Sequence, residues 1–103
     1  MVQALNETDF RSAVLESAGK AVVDFWAPWC QPCRVMLKTV KEVAAGYDDV
    51  TFATVNVDDN PDLAVRNRIS GIPAVVFFKD GQEVGRLTGV QPQAAIRRML
   101  ETL

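Results

Sequence analysis

The sequence predicts an α/β fold: a five-stranded mixed sheet with helices on both faces. Three observations carry this. Apolar β-rich runs alternate with segments of helical periodicity, an order that favours parallel strands joined through helices. One run, Ala21-Val22-Val23-Asp24-Phe25-Trp26, is almost unbroken, as suits a central strand buried on both sides. The dipeptide Asp80-Gly81 lies between two strand-like runs and marks a two-residue hairpin, so the last strand is antiparallel.

The elements follow in order. Val2 to Leu5 reads as a short first strand. Thr8 to Ala18 carries Phe10, Ala13, Val14 and Ser17 at helical spacing, with Gly19 as a C-terminal stop. Ala21 to Trp26 is the second strand, ended by Pro28. From Cys33, the residues Met36, Leu37, Val40, Val43, Ala44 and Tyr47 form one apolar stripe of a long helix. Val50 to Val57, rich in β-branched residues, is the third strand. Asp59 or Asn60 caps a short helix with Pro61 in its first turn, ending near Asn67. Ala74 to Lys79 and Glu83 to Thr88 form the hairpin, and Gln91 to Leu103 closes the chain as a helix. The order is βαβαβαββα.

The 103 residues fit one domain, 1–103, with enough apolar content for a core without staples. A net charge of −2 argues against nucleic acid as the main partner, since phosphate binding needs a basic face. No run is long and apolar enough to cross a membrane. The N-terminus carries no basic region followed by an apolar run, so the expected location is cytoplasmic.

Both cysteines lie in Trp29-Cys30-Gln31-Pro32-Cys33. A disulfide across so small a loop stabilises little, so the pair reads as chemical rather than structural. Zinc usually takes four Cys or His ligands, and this chain has two cysteines and no histidine. A metal would have to bridge two chains or recruit carboxylates, and a redox dithiol is the better reading. The motif falls between a buried strand and a long helix. There Cys30 meets the unpaired N–H groups and dipole of a helix N-terminus, which favour a thiolate. Cys33, one turn on, is expected to be more buried and within reach of the Cys30 sulfur. Cys30 then attacks a substrate disulfide, and Cys33 resolves the mixed disulfide. Pro32 stiffens the first turn without losing a helical hydrogen bond.

Val23-Asp24-Phe25-Trp26-Ala27-Pro28-Trp29-Cys30-Gln31-Pro32-Cys33 resembles the signature of the thioredoxin family, in which glycine usually stands at the place of Gln31. Val57-Asp58-Asp59-Asn60-Pro61, Gly71-Ile72-Pro73, Phe78-Lys79-Asp80-Gly81 and Thr88-Gly89 follow in the family's order, so the likeness spans nearly the whole chain. The resemblance implies the thioredoxin fold, a five-stranded mixed sheet flanked by four helices. It implies reduction of protein disulfides, with electrons from NADPH through a flavoprotein thioredoxin reductase and no cofactor or metal bound to this chain. A monomer is expected. Asp24 matches the family's buried acid beneath the dithiol and would take the Cys33 proton. Pro73 matches the cis-proline beside the cysteines. Gly71 and Ile72 would line the groove where substrate backbone pairs. Gly89 would allow close approach on the other side, and Trp29, Gln31 and Pro32 would form the rim. Trp26 is expected in the core.

Two other functions share these residues: a less reducing isomerase or oxidase, suggested by Gln31, and a binding or chaperone module that uses the groove alone. Lys38 stands where the family usually has a proline, which predicts an unkinked helix. Thr54 stands where many relatives carry a lysine near the acid, which predicts a high Asp24 pKa in the reduced protein. Asn67-Arg68 replaces an aromatic–glycine pair.

Overall fold

The structure is a computed structural model and describes residues 2–103. Among these residues, five strands form one sheet in the order β1-β3-β2-β4-β5. The strands are β1 (Val2–Ala4), β2 (Lys20–Trp26), β3 (Thr51–Asn56), β4 (Ala74–Lys79) and β5 (Gln82–Thr88). The helices are α1 (Glu7–Phe10), α2 (Gln31–Ala44), α3 (Pro61–Arg66) and α4 (Gln93–Thr102). The expected mixed sheet and four helices are present, with β2 at the centre.

Strand parity divides the core. Ala21, Val23 and Phe25 of β2 pack with Phe10, Val14, Leu63, Ala53, Val55, Val76 and Phe78 on the α1/α3 face. Phe10 anchors this side by edge contact with Phe78, ring centroids 5.9 Å apart. Val22 faces the other way, with Phe52, Val75 and Phe77, against Met36, Val40 and Val43 of α2 and Ile96 and Leu100 of α4. Asp24, two residues from Val22, therefore points to the α2 side.

β4 departs from the expected topology. It follows a helix, yet it runs antiparallel to β2, with Phe25 opposite Ala74 and Lys20 opposite Lys79. Asn56 pairs with Trp26 and Ala74 lies opposite Phe25, so the chain leaves β3 and enters β4 at the same end of the sheet, and β4 runs back. The parallel part is β1, β3 and β2.

The first helix is also shorter than its periodicity predicts. The Asn6 carboxamide caps it by accepting from Asp9 N–H at 2.9 Å. After Phe10 it widens into a π turn, Arg11–Leu15, with Glu16 N–H bonded to the Arg11 carbonyl. Gly19 is left-handed, φ +89°, but lies beyond the helix end. There the Asp80 carboxylate accepts its N–H at 2.7 Å. The hairpin tip thus occupies the ground past Leu15. Asp80 and Gly81 both have positive φ, as a type I′ turn requires. Asn60 precedes α3 without capping it. Its side chain donates to the Asn56 carbonyl instead.

Candidate functional site

The site gathers at the C-terminal end of β2. The strand ends at Trp26, and Cys30 N–H bonds back to the Ala27 carbonyl at 3.1 Å, closing the turn through Pro28 and Trp29. Cys30 is the N-cap of α2, in extended conformation, and its sulfur accepts the Cys33 N–H at 3.2 Å. α2 thus begins at Gln31 rather than Cys33, and Pro32 sits in the first turn. The two cysteines are joined as a disulfide, with Cα atoms 5.3 Å apart. Both are buried, Cys33 at 1% exposure and Cys30 at 5%, so the remaining access falls on Cys30. α2 continues unbroken through Lys38 to Ala44.

Asp24 is fully buried, and among the described residues neither carboxylate oxygen has a hydrogen-bond partner. Burial pushes its pKa from 3.8 to about 7. Its strand neighbours are Thr54 on β3 and Val75 on β4, neither of which brings a cation. The shift has the direction expected from Thr54, here with the cysteines joined as a disulfide, and burial is its cause. Beside Thr54 opens a cleft of about 400 Å³ lined also by Trp26, Asn56, Asp59 and Asn60. Trp26 is half-buried at this cleft rather than sealed in the core.

A second segment faces the dithiol. Ile72-Pro73 is a cis peptide, and the Ile72 carbonyl oxygen lies 3.9 Å from the Cys30 sulfur. Gly89 N–H donates to the Pro73 carbonyl at 2.8 Å. A Cβ on Gly89 would meet nothing within 4 Å, so its φ of +81°, not close approach, is what asks for glycine. A Cβ on Gly71 would only touch the Thr88 side chain. Trp29 is 69% exposed, and its indole N–H donates to the Asp58 carboxylate at 3.1 Å. Gln31 and Pro32 are exposed beside it. The structure therefore brings Trp29, Cys30, Gln31, Pro32, Cys33, Ile72 and Pro73 to one end of the sheet, with Asp24 under α2.

Sequence reasoning missed the groups that hold this arrangement. Asp58 orients Trp29, and its own N–H is held by the Asn56 carboxamide at 2.9 Å. Asp58 stood within a quoted motif, but nothing in the motif paired it with Trp29. Arg86 reaches from β5 to the Asn67 and Arg68 carbonyls at 2.9 and 3.2 Å. No local pattern announces that contact.

A dithiol at a helix N-terminus, beside a cis-proline on a β1-β3-β2-β4-β5 sheet, defines a thiol–disulfide exchange protein. The comparisons place it further. A thioredoxin family profile matches residues 1–102. The chain is 41% identical to thioredoxin 1 of Synechococcus elongatus over 99 residues, covering 95% of this chain and 92% of that one. It is 38% identical to the chloroplastic M-type thioredoxin of Chlamydomonas reinhardtii, covering 95% and 71%. A solved chain from work on thiol resolution of a yeast mitochondrial 1-Cys peroxiredoxin superposes with a TM-score of 0.89 at 32% identity, covering 99% and 95%. The chain belongs to the thioredoxin family. It is a thiol–disulfide oxidoreductase that reduces protein disulfides. No described helix is long and apolar enough to cross a membrane.

Proposed function

We propose that the chain reduces disulfides of partner proteins through a two-step exchange in which Cys30 attacks and Cys33 resolves. The observation that carries this is the Cys30 sulfur at the N-cap of α2, accepting the Cys33 N–H. In the reduced protein that position stabilises a thiolate. The thiolate attacks one sulfur of the substrate disulfide, and the other substrate sulfur leaves as a thiolate. Cys33 loses its proton and attacks the Cys30 sulfur. The second substrate sulfur departs, and the Cys30–Cys33 disulfide forms. Two electrons pass to the substrate. Neighbouring cysteines make the second step intramolecular and therefore fast.

Asp24 takes the Cys33 proton in this reading. It lies under α2 without a partner, and its pKa of about 7 suits a group that must both accept and release a proton near neutrality. The extended substrate segment pairs with the backbone at Ile72, between Pro73 and the Trp29 rim, while Gly71 and Gly89 flank the groove. Electrons return from NADPH through a flavoprotein thioredoxin reductase. No cofactor binds this chain, and a single chain carries every group named. Such a reductant belongs in a reducing compartment, and the cytoplasm is our assignment.

The test is trapping. Cys33→Ser mixed with a peptide disulfide should accumulate a covalent Cys30 adduct, and Cys30→Ser should form none. Iodoacetamide should modify Cys30 with a pKa below that of free cysteine. An adduct on Cys33, or a Cys30 thiol no more acidic than free cysteine, would overturn the assignment.

A further inference from the structure

The segment from Asn67 to Pro73 carries Ile72 to the dithiol, yet it contains no regular structure of its own. Its downstream end is fixed by the Gly89 N–H on the Pro73 carbonyl and by the pairing of Ala74 with Thr88. Its upstream end is the C-terminus of α3. There Ile69 N–H bonds the Ala64 carbonyl and Arg68 N–H bonds the Val65 carbonyl, the two bonds of a Schellman turn. That turn puts its penultimate residue in the left-handed region, and the residue here is Arg68, φ +53°. A side chain resists that conformation, so the corner needs outside support.

Arg86 supplies it. Its Nη2 donates to the Asn67 carbonyl at 2.9 Å and its Nη1 to the Arg68 carbonyl at 3.2 Å. Glu83 takes the other edge of the same guanidinium, accepting from Nε at 2.8 Å and Nη2 at 2.7 Å. The planar fork is thereby locked between a carboxylate and two main-chain oxygens. The hydrogen bond from Arg86 holds the Glu83 carboxyl below its usual range. Both side chains keep over a quarter of their surface in water, so the pair adds little to global stability. Its geometry is specific all the same. The segment is gripped twice, by the Arg86 side chain of β5 and by the main chain of Gly89, the residue that follows β5, with Ile72 between.

We propose that Arg86, oriented by Glu83, is a positioning residue for substrate docking: it sets the corner from which Ile72 is presented to the backbone of a protein substrate. The inference rests on the reading that substrate pairs at Ile72. It separates two kinds of disulfide. A peptide-flanked disulfide needs the docking strand, and a small one such as hydroxyethyl disulfide needs only the cysteines. A loosened corner weakens pairing made alike in the ground and transition states, and such a loss raises KM and leaves kcat unchanged.

Arg86→Gln should raise the KM for insulin reduction about tenfold, the equivalent of one main-chain hydrogen bond to substrate, leave kcat within about twofold, and leave turnover of hydroxyethyl disulfide unchanged. Arg86→Lys should not rescue, because one ammonium cannot span both carbonyls and Glu83. Glu83→Gln should show a smaller rise. An unchanged insulin KM in Arg86→Gln would overturn the proposal. So would a parallel fall with both substrates, the mark of a general structural effect. Hydrogen exchange at the Ile72 amide, in the Cys33→Ser protein trapped with a cysteine peptide, separates the layers. Protection with Arg86 present that weakens in Arg86→Gln supports the proposal. Protection equal in both overturns this inference alone. No protection even with Arg86 present overturns the docking reading, and this inference with it.

Discussion

The site has two arms built on different principles. The first runs through β2 and α2 and holds Asp24, Cys30 and Cys33. Its groups lie within ten residues of chain, and the strand end, the turn and the helix start place them. The second runs from α3 to β4 and holds Ile72 and Pro73. Contacts remote in sequence place it, from Arg86 on β5 and from Gly89 just past the end of that strand. The first arm carries a buried, unpartnered carboxyl. The second carries a left-handed arginine. Each holds an unfavourable feature that the surrounding structure overrides. In the first that feature is electrostatic, and in the second it is conformational.

The electrostatic feature gives the largest expected effect. The folded pKa of Asp24 lies above its unfolded value, so the unfolded chain ionises first as pH rises. Stability is full below pH 3.8, falls between 3.8 and about 7, and is level above. The displacement corresponds to about 4 kcal/mol. Asp24→Asn should therefore be more stable by about that amount at pH 8, with the difference fading towards pH 4. Urea unfolding across pH measures it. The same variant should reduce insulin more slowly by about a hundredfold or more, since a general base is lost. Equal stability of the two proteins at pH 8 would mean that Asp24 is solvated, and the contrast between the arms would fail.

The next effect tests how far the first arm depends on its helix. Lys38 is interior to an unbroken α2. Lys38→Pro removes one helical bond and sets a ring against the preceding turn, at a cost of about 3 kcal/mol. The urea midpoint should fall accordingly, with the dithiol still able to form its disulfide. An unchanged midpoint would show that α2 accommodates a kink there without loss.

The same division explains what could be read in advance. The dithiol, its helix N-terminus, the buried strand around Asp24 and the Asp80-Gly81 hairpin are contiguous features, and periodicity and spacing reveal such features. The direction of β4 depends on the end of the sheet at which the chain re-enters after α3, which local composition does not state. The shortening of α1 depends on a hairpin tip more than sixty residues away along the chain. The bonds from Trp29 to Asp58 and from Arg86 to Asn67 form only once the sheet brings distant residues together. The motif resemblance supplied Ile72 and Pro73. It did not supply what holds them.

The smallest effect separates the two ways in which residue 68 serves the second arm. Arg68 contributes a carbonyl to Arg86 and, by its side chain, a conformational penalty at φ +53°. Arg68→Gly keeps the carbonyl and removes the penalty. A left-handed L-residue costs about 1–2 kcal/mol, and glycine returns part of that through a freer unfolded chain. The net expected gain is about 0.5–1 kcal/mol in urea unfolding. Because Arg86 still finds both main-chain oxygens, the insulin KM should stay where it was. If Arg68→Gly instead raised that KM as Arg86→Gln should, the arginine side chain itself would be part of the docking surface. The positioning would then belong to residue 68 and not to its backbone.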